Sequence, residues 1–491
     1  MMSARNKKKA AIRPWMSRWG RRLVQIGFMG LFLYPFYLTL TKKAALHQDI
    51  PTLTSWLLPW DPLLGLGQLL RGQWLLLTIG AALFTLVLGL LLGRSFCGWI
   101  CPFGSALDLF RALAFWQRPA KRRTKPGKST RRNSLVRYFL LLFIVAGSAF
   151  SLHFLGIFDP LVIFHRVAAS LATNAAALNQ PALTLTLSVV AVIFLLALIL
   201  ELWKPRVWCR HLCPLGALLS LVSRFSALKR IADVRCSGCG LCQRVCPMNA
   251  IPADLHQTDY SDCTFCLECE SACPQGAIRF DFFRPAIGKP VAQHAPDQET
   301  GLSVPRKEFT RRQFLYGLTA SAAGAVVTPV LLSRVQNTPL RPPGALPERE
   351  FLQTCIVCHE CVRVCPTGGL RPAVFTAGLM GYGTPVLVPR QGACDLVNNC
   401  PNLCARVCPV GAILPVNPQE MHLGIARVDH DLCLAWAQGV KCLVCVEACL
   451  SNAAHAYQGR VVIDDASCTG CGRCESGCPV AGSAIRVYPG G

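Results

Sequence analysis

Cys236-Ser237-Gly238-Cys239-Gly240-Leu241-Cys242-Gln243-Arg244-Val245-Cys246-Pro247 is the stretch from which the rest of the chain can be read. Three cysteines, each two residues from the next, are followed after three more residues by a fourth that precedes proline. Three thiolates on so tight a loop reach three corners of a 4Fe-4S cube, while the fourth, turned by the proline, points to a neighbouring cube. The neighbour follows at once as Cys263, Cys266, Cys269 and Cys273-Pro274. The spacing assigns Cys236, Cys239, Cys242 and Cys273 to one cluster, and Cys263, Cys266, Cys269 and Cys246 to the other. A zinc ribbon would want two Cys-x2-Cys pairs rather than a triplet plus Cys-Pro.

Working outward toward the C-terminus, four more quartets appear. Cys355, Cys358, Cys361, Cys365-Pro366 and Cys468, Cys471, Cys474, Cys478-Pro479 are regular. Between them lie two irregular ones: Cys394, Cys400, Cys404, Cys408-Pro409, and Cys433, Cys442, Cys445, Cys449, the last followed by Leu450. Regular motifs outside irregular ones suggest nested pairing. Cys355, Cys358 and Cys361 would then take Cys478, and Cys468, Cys471 and Cys474 would take Cys365. Likewise Cys394, Cys400 and Cys404 would take Cys449, and Cys433, Cys442 and Cys445 would take Cys408. The expected cofactors are six 4Fe-4S clusters. All 28 cysteines fall into these six quartets and two further pairs, with none left over, which a disulfide framework rarely does.

The two pairs lie upstream. Phe96-Cys97-Gly98-Trp99-Ile100-Cys101-Pro102-Phe103-Gly104 returns as Trp208-Cys209-Arg210-His211-Leu212-Cys213-Pro214-Leu215-Gly216, and each copy follows an apolar run. This is an internal duplication. Cys97, Cys101, Cys209 and Cys213 could ligate a seventh cluster, act as two redox-active dithiols, or pack as buried structural residues. Four apolar runs near 23–40, 74–93, 138–157 and 183–202 each approach the length a ~30 Å bilayer core requires. Thr310-Arg311-Arg312-Gln313-Phe314-Leu315, leading into a weakly apolar segment, looks like a twin-arginine export signal. The expected fold is a membrane α-helical bundle of four helices plus a fifth signal or anchor helix, with small α+β two-cluster domains on both sides. Its parts are a basic tail (1–22), a membrane domain (23–228), a cytoplasmic two-cluster domain (229–285), a linker (286–305), the twin-arginine segment (306–335) and a periplasmic four-cluster domain (336–491). The expected location is a bacterial inner membrane, multi-pass, with 229–305 cytoplasmic and the twin-arginine translocase as a partner.

A net charge of +24 with 52% hydrophobic residues would ordinarily raise nucleic acid as a partner. The basic residues instead crowd beside the apolar runs, at Arg5 to Arg22 and Arg118 to Arg132, and no nucleic-acid motif accompanies them. No phosphate-cradling glycine loop of recognisable spacing marks a substrate-converting site.

With both halves in view, the chain resembles a fusion of the NapH type of polytopic ferredoxin (NapH, MauN) with the NapG type of exported four-cluster ferredoxin (NapG, MauM). The resemblance rests on the duplicated Cys-x3-Cys-Pro, the quartets and the paired arginines. It implies a quinol dehydrogenase-type electron-transfer component that takes electrons from the membrane quinol pool. They would pass to a periplasmic cytochrome or a reductase such as nitrate reductase. His153, near the end of the third run with Asp159 and His165 beyond it, and the four paired cysteines are candidate quinol or redox residues. The alternative is an assembly or maturation factor in which those thiols reduce or load a metal centre of another enzyme.

Overall fold

The computed structural model describes residues 4–41, 57–70, 76–114, 131–149, 158–172, 181–282, 319, 338–374, 376–378 and 381–490. Within the long helices it describes side chains for 19–37, 79–92, 136–146, 158–169 and 190–203. A helical body comes first: α1 (Ala4–Thr41), α2 (Pro62–Leu70), α3 (Leu76–Leu92), α4 (Pro102–Ala114), α5 (Arg131–Ala149), α6 (Pro160–Ala172), α7 (Pro181–Trp203), α8 (Val207–His211) and α9 (Pro214–Ser223).

Proline opens α2, α4, α6 and α9, where its missing N–H costs nothing and its φ suits the first turn. Before α2 and α6 stand aspartates: Asp61 Oδ1 accepts the N–H of Leu63 at 2.8 Å, and Asp159 Oδ1 those of Leu161 at 2.8 Å and Val162 at 3.3 Å. The duplication therefore extends well beyond the cysteines, with α2, α3 and α4 answering α6, α7 and α9. The copies interleave: α3 of the first packs on α9 of the second, and α7 of the second on α4 of the first. That exchange makes a pseudo-twofold body.

Two smaller parts attach to it. Residues 228–282 carry an antiparallel pair, β1 (Leu228–Ala232) with β2 (Ile278–Phe282), in register from Leu228↔Phe282 to Ala232↔Ile278. Residues 338–490 carry β3 (Leu370–Pro372) with β4 (Pro385–Leu387), β5 (Gly424–Val428) with β8 (Ile485–Pro489), and β6 (Ala454–Tyr457) with β7 (Arg460–Ile463). The body and the first half of this larger part share one apolar core, which runs from Phe32 through Leu107 and Leu161 to Phe351 and Leu403. The smaller part keeps a core of its own around Cys242, Ile251, Cys269 and Ile278. On α1, Arg21 touches the smaller part and Phe36 the larger. Those residues are 15 apart, about 22 Å along a helix, so the two parts flank the body.

The expected membrane bundle is corrected. The apolar runs do form helices, but among the described residues no helix is long and apolar enough to cross a membrane. Helix α3 has 17 residues, about 25 Å, and stops at Gly93, whose φ of +63° leaves the helical region. Helix α5 spends its first turns on Arg131, Arg132, Asn133 and Arg137. The same finding overturns the multi-pass inner-membrane location. The paired arginines with the rest of 306–335 except Thr319, the linker 286–305, and His153 lie outside the described residues.

Candidate iron-sulfur centres

Each regular quartet is built on the same backbone device. In the Cys-x2-Cys loops the residue before the second cysteine and the residue after it both take positive φ: Gly238 and Gly240, Phe265 and Leu267, Val357 and His359, Gly470 and Gly472. Two left-handed residues curl the chain around the sulfurs and release it into a short helix that carries the third cysteine. Glycine does this without cost, whereas a β-branched residue such as Val357 at φ 56° is strained. Strain of this kind at equivalent positions of separate loops marks a functional backbone.

The fourth cysteine is shaped by its proline. Cys246, Cys273, Cys365 and Cys478 all sit extended, with ψ between 112° and 123°, because the following proline bars the helical conformation. Beyond it the chain turns back and aims an amide at the sulfur. Ala250 donates to Cys246 Sγ and Ala277 to Cys273 Sγ, both at 3.3 Å; Ala454 to Cys449 Sγ and Ala484 to Cys478 Sγ, both at 3.4 Å. Such donors favour the thiolate.

The sulfurs gather as foursomes. Cys263, Cys266, Cys269 and Cys246 line one hollow, the grouping expected from the spacing. Cys236 and Cys239 lie close to Cys242, and Cys273 packs against the same core. In the larger part the nested pairing is corrected. Cys355, Cys358 and Cys361 face Cys408 around one hollow, and Cys394, Cys400 and Cys404 face Cys365 around another. Cys433, Cys442 and Cys445 face Cys478 around a third hollow, while Cys468 and Cys474 pack with Cys449. Pairing is therefore sequential, first quartet with second and third with fourth. Neighbouring segments dock on one another through short connections, which regular or irregular spacing within a quartet does not reveal. Four such hollows, each lined by four thiols, suit a common guest.

The donor chemistry fits an iron-sulfur cube. Among the described residues, no three His, Cys, Asp or Glu side chains are placed to hold a single metal ion. Burial pushes the thiol of Cys246 up to about 11 and those of Cys269 and Cys355 up to about 12. Iron binding must therefore displace protons as it takes the thiolates.

The duplicated pairs also come together. Cys97, Cys101, Cys209 and Cys213 are buried, unbridged and mutually close in the middle of the body. The sequence reading missed the residues around them. Arg94 and Arg206, fully buried, each stand three residues before the first cysteine of a copy, and each crosses to the other copy. Arg206 Nη1 donates to the carbonyl of Cys97 at 3.0 Å and Arg94 Nη2 to that of Cys209 at 3.4 Å. Extending the two copies three residues back would have found them. Asp61 and Asp159, both fully buried, stand close to each other, and burial raises both carboxyls above the ordinary carboxylate range. His165 Nε2 meets Glu360 Oε1 at 2.9 Å, joining the body to the larger part beside Cys358 and Cys361. Burial favours the neutral acid of Glu360, but Arg363 and His165 outweigh it and hold the group near 2.

Comparison with known proteins adds the following. Residues 74–125 and 183–232 both match one profile described as a 4Fe-4S binding domain, which repeats the duplication. Residues 235–277 match a 4Fe-4S dicluster domain and 460–485 another 4Fe-4S binding domain. The methylamine utilization ferredoxin-type protein MauM of Paracoccus denitrificans is 36% identical over 208 residues, covering 38% of this chain and 89% of that protein. The ferredoxin-type protein NapG of Escherichia coli is 36% identical over 203 residues, covering 36% of this chain and 85% of that protein. NapG of Haemophilus influenzae is 35% identical over 206 residues, covering 36% and 71%. No solved structure matches the chain.

Proposed function

This chain belongs to the family of ferredoxin-type iron-sulfur proteins that includes MauM and NapG, and we propose that it is an electron conduit carrying six 4Fe-4S clusters. The cluster ligands are the sequentially paired foursomes. They are Cys236, Cys239, Cys242 with Cys273; Cys263, Cys266, Cys269 with Cys246; Cys355, Cys358, Cys361 with Cys408; Cys394, Cys400, Cys404 with Cys365; Cys433, Cys442, Cys445 with Cys478; and Cys468, Cys471, Cys474 with Cys449. The observation that carries this reading is the repeated loop with two left-handed residues and a fourth cysteine that accepts a backbone N–H from beyond its turn. Such clusters, when bound, exchange single electrons at potentials set by hydrogen bonding and solvent access. The protein's own part is to hold the thiolates, exclude water and keep neighbouring centres close.

Likeness to NapG supports a periplasmic cytochrome or reductase as the acceptor, and the resemblance of the first half to the NapH type is what suggests a quinol as the donor. The test is anaerobic stopped-flow mixing of the full chain with a soluble quinol analogue, followed by its visible absorbance. Bleaching within a turnover-relevant time supports a quinol donor. Bleaching by dithionite alone removes quinol while leaving the conduit. A chain that dithionite cannot bleach refutes both.

A further inference from the structure

The body contains a four-thiol site that the six foursomes do not use. Two of its sulfurs come from each copy, and the surroundings obey the same twofold relation. Beside the reciprocal arginines, Gly104 and Gly216 each present a backbone N–H to the second cysteine of their own copy, Gly216 to Cys213 Sγ at 3.1 Å. A Cβ on Gly104 would stand 2.8 Å from the carbonyl of Cys97, and one on Gly216 2.7 Å from Arg94 Nη2. Gly104 thus stands where its own copy's Cys97 carbonyl closes in, and Gly216 where the other copy's Arg94 does. Here the donor lies three residues after the cysteine, in the first turn of α9, whereas at Cys246 and Cys273 it lies four residues on; in each case a backbone amide is aimed at the sulfur after Cys-Pro.

Charge points the same way. Asp108 is shared by Arg206, at 2.7 and 3.1 Å, and Arg21, at 2.6 Å. Asp262 is shared by Arg137 and, at 3.6 Å, Arg94. Four guanidiniums meet two carboxylates. Glu268 reaches Arg21 from the more exposed side at 3.3 Å, and burial lifts Glu201, which takes the backbone N–H of Arg206, to about 7. An excess of buried positive charge is costly unless an anion completes it, and neutral thiols would not. The thiols are between 5% and 8% exposed, so a protein or small-molecule thiol cannot reach them for disulfide exchange. The body also abuts an electron carrier here. Trp99 Nε1 donates to the carbonyl of Phe265 at 3.0 Å, and Gly98 lies against Thr264, both inside the Cys263–Cys269 loop.

We infer that Cys97, Cys101, Cys209 and Cys213 are the ligands of one further 4Fe-4S cluster held between the two copies, with Arg94 and Arg206 as its counter-charges. This rests on the electron-conduit reading and adds to it a centre inside the body, next in line to the Cys263–Cys246 foursome.

The test uses the full chain, purified anaerobically, with one cysteine removed from each copy, Cys97→Ser with Cys209→Ser. The variant is expected to lose about four irons and four sulfides per chain and one EPR component of the reduced protein, the others remaining. Unchanged iron, sulfide and EPR overturn the inference and leave the six foursomes standing. Should that variant not fold, Arg94→Gln serves, because Asp262 keeps Arg137. It is expected to lower the midpoint potential of a single component, since one nearby positive charge is lost. A titration in which no component moves overturns the inference. A parent chain with no iron at all overturns the conduit reading itself.

Discussion

The two copies that make up the body are alike where they face each other and unlike where they face outward. Both keep Arg-x2-Cys-x3-Cys-Pro-x-Gly, at Arg94 to Gly104 and Arg206 to Gly216, and both keep Asp-Pro-Leu, at Asp61 and Asp159. These pairs meet across the pseudo-twofold and build the interior. The differences assign neighbours. Where the first copy has Asp108, the second has Ser220, and the missing carboxylate reaches Arg94 from outside, as Asp262 of the two-cluster part. Where the first copy has Gly67 and Gln68, the second has His165 and Arg166, which meet the Cys355–Cys361 loop, His165 at Glu360 and Arg166 beside Cys358 and Cys355. A duplicated scaffold has thus kept one common site and given each face a different cluster domain.

The comparison breaks most severely at Asp262. Asp262→Ala leaves Arg94 and Arg137 buried without their carboxylate, which should cost about 3 kcal/mol or more in anaerobic urea denaturation. Adding Ser220→Asp, which gives the second copy the first copy's residue, should recover part of that loss. No recovery would mean that the equivalence of positions 108 and 220 is only formal. Next comes His165→Ala, which leaves Glu360 to Arg363 alone and removes its link from the body to the larger part, and should cost about 2 kcal/mol. Limited proteolysis is expected to release the 338–490 part faster, and an unchanged pattern would show that the shared apolar core suffices. Gly104→Ala and Gly216→Ala should each cost about 1–3 kcal/mol by overpacking, with Gly104 the worse. Its new methyl meets a backbone carbonyl, while that of Gly216 meets the end of an arginine. Equal costs would argue against these two contacts.

The smallest effect is one of pH. Glu201 occupies the position of Gly89 in the first copy, and burial lifts its acid from the ordinary 4.5 to about 7. A carboxyl raised in the folded state contributes stability that is whole below its unfolded value and is lost as pH rises through the folded one. From pH 6 to pH 8 this group should therefore remove about 1 kcal/mol, and Glu201→Gln should flatten that part of the stability profile. A profile identical to the parent's would show that Glu201 is not the titrating group.

Much of the chemistry was legible in the sequence, because a thiolate loop around a cube permits few spacings. The helices were legible too, since apolar runs of sufficient length fold no other way. Their role was not: helices of a duplicated body and bilayer helices share composition, and only helix length and the charged residues drawn inside, such as Arg94 and Arg137, separate them. The partner of each fourth cysteine was hidden because the exchange depends on which segments dock. Asp262 and Glu360 were hidden for the same reason, lying 168 and 195 residues from Arg94 and His165. Arg94, Arg206 and the Asp-Pro pairs were recoverable from the repeat alone.

Iron and acid-labile sulfide analysis of the anaerobically purified full chain, joined to an EPR redox titration, tests the account most directly. Seven centres predict about 28 irons with as many sulfides and several interacting reduced spins. A colourless protein without iron, or one whose iron is mononuclear and free of sulfide, would contradict it.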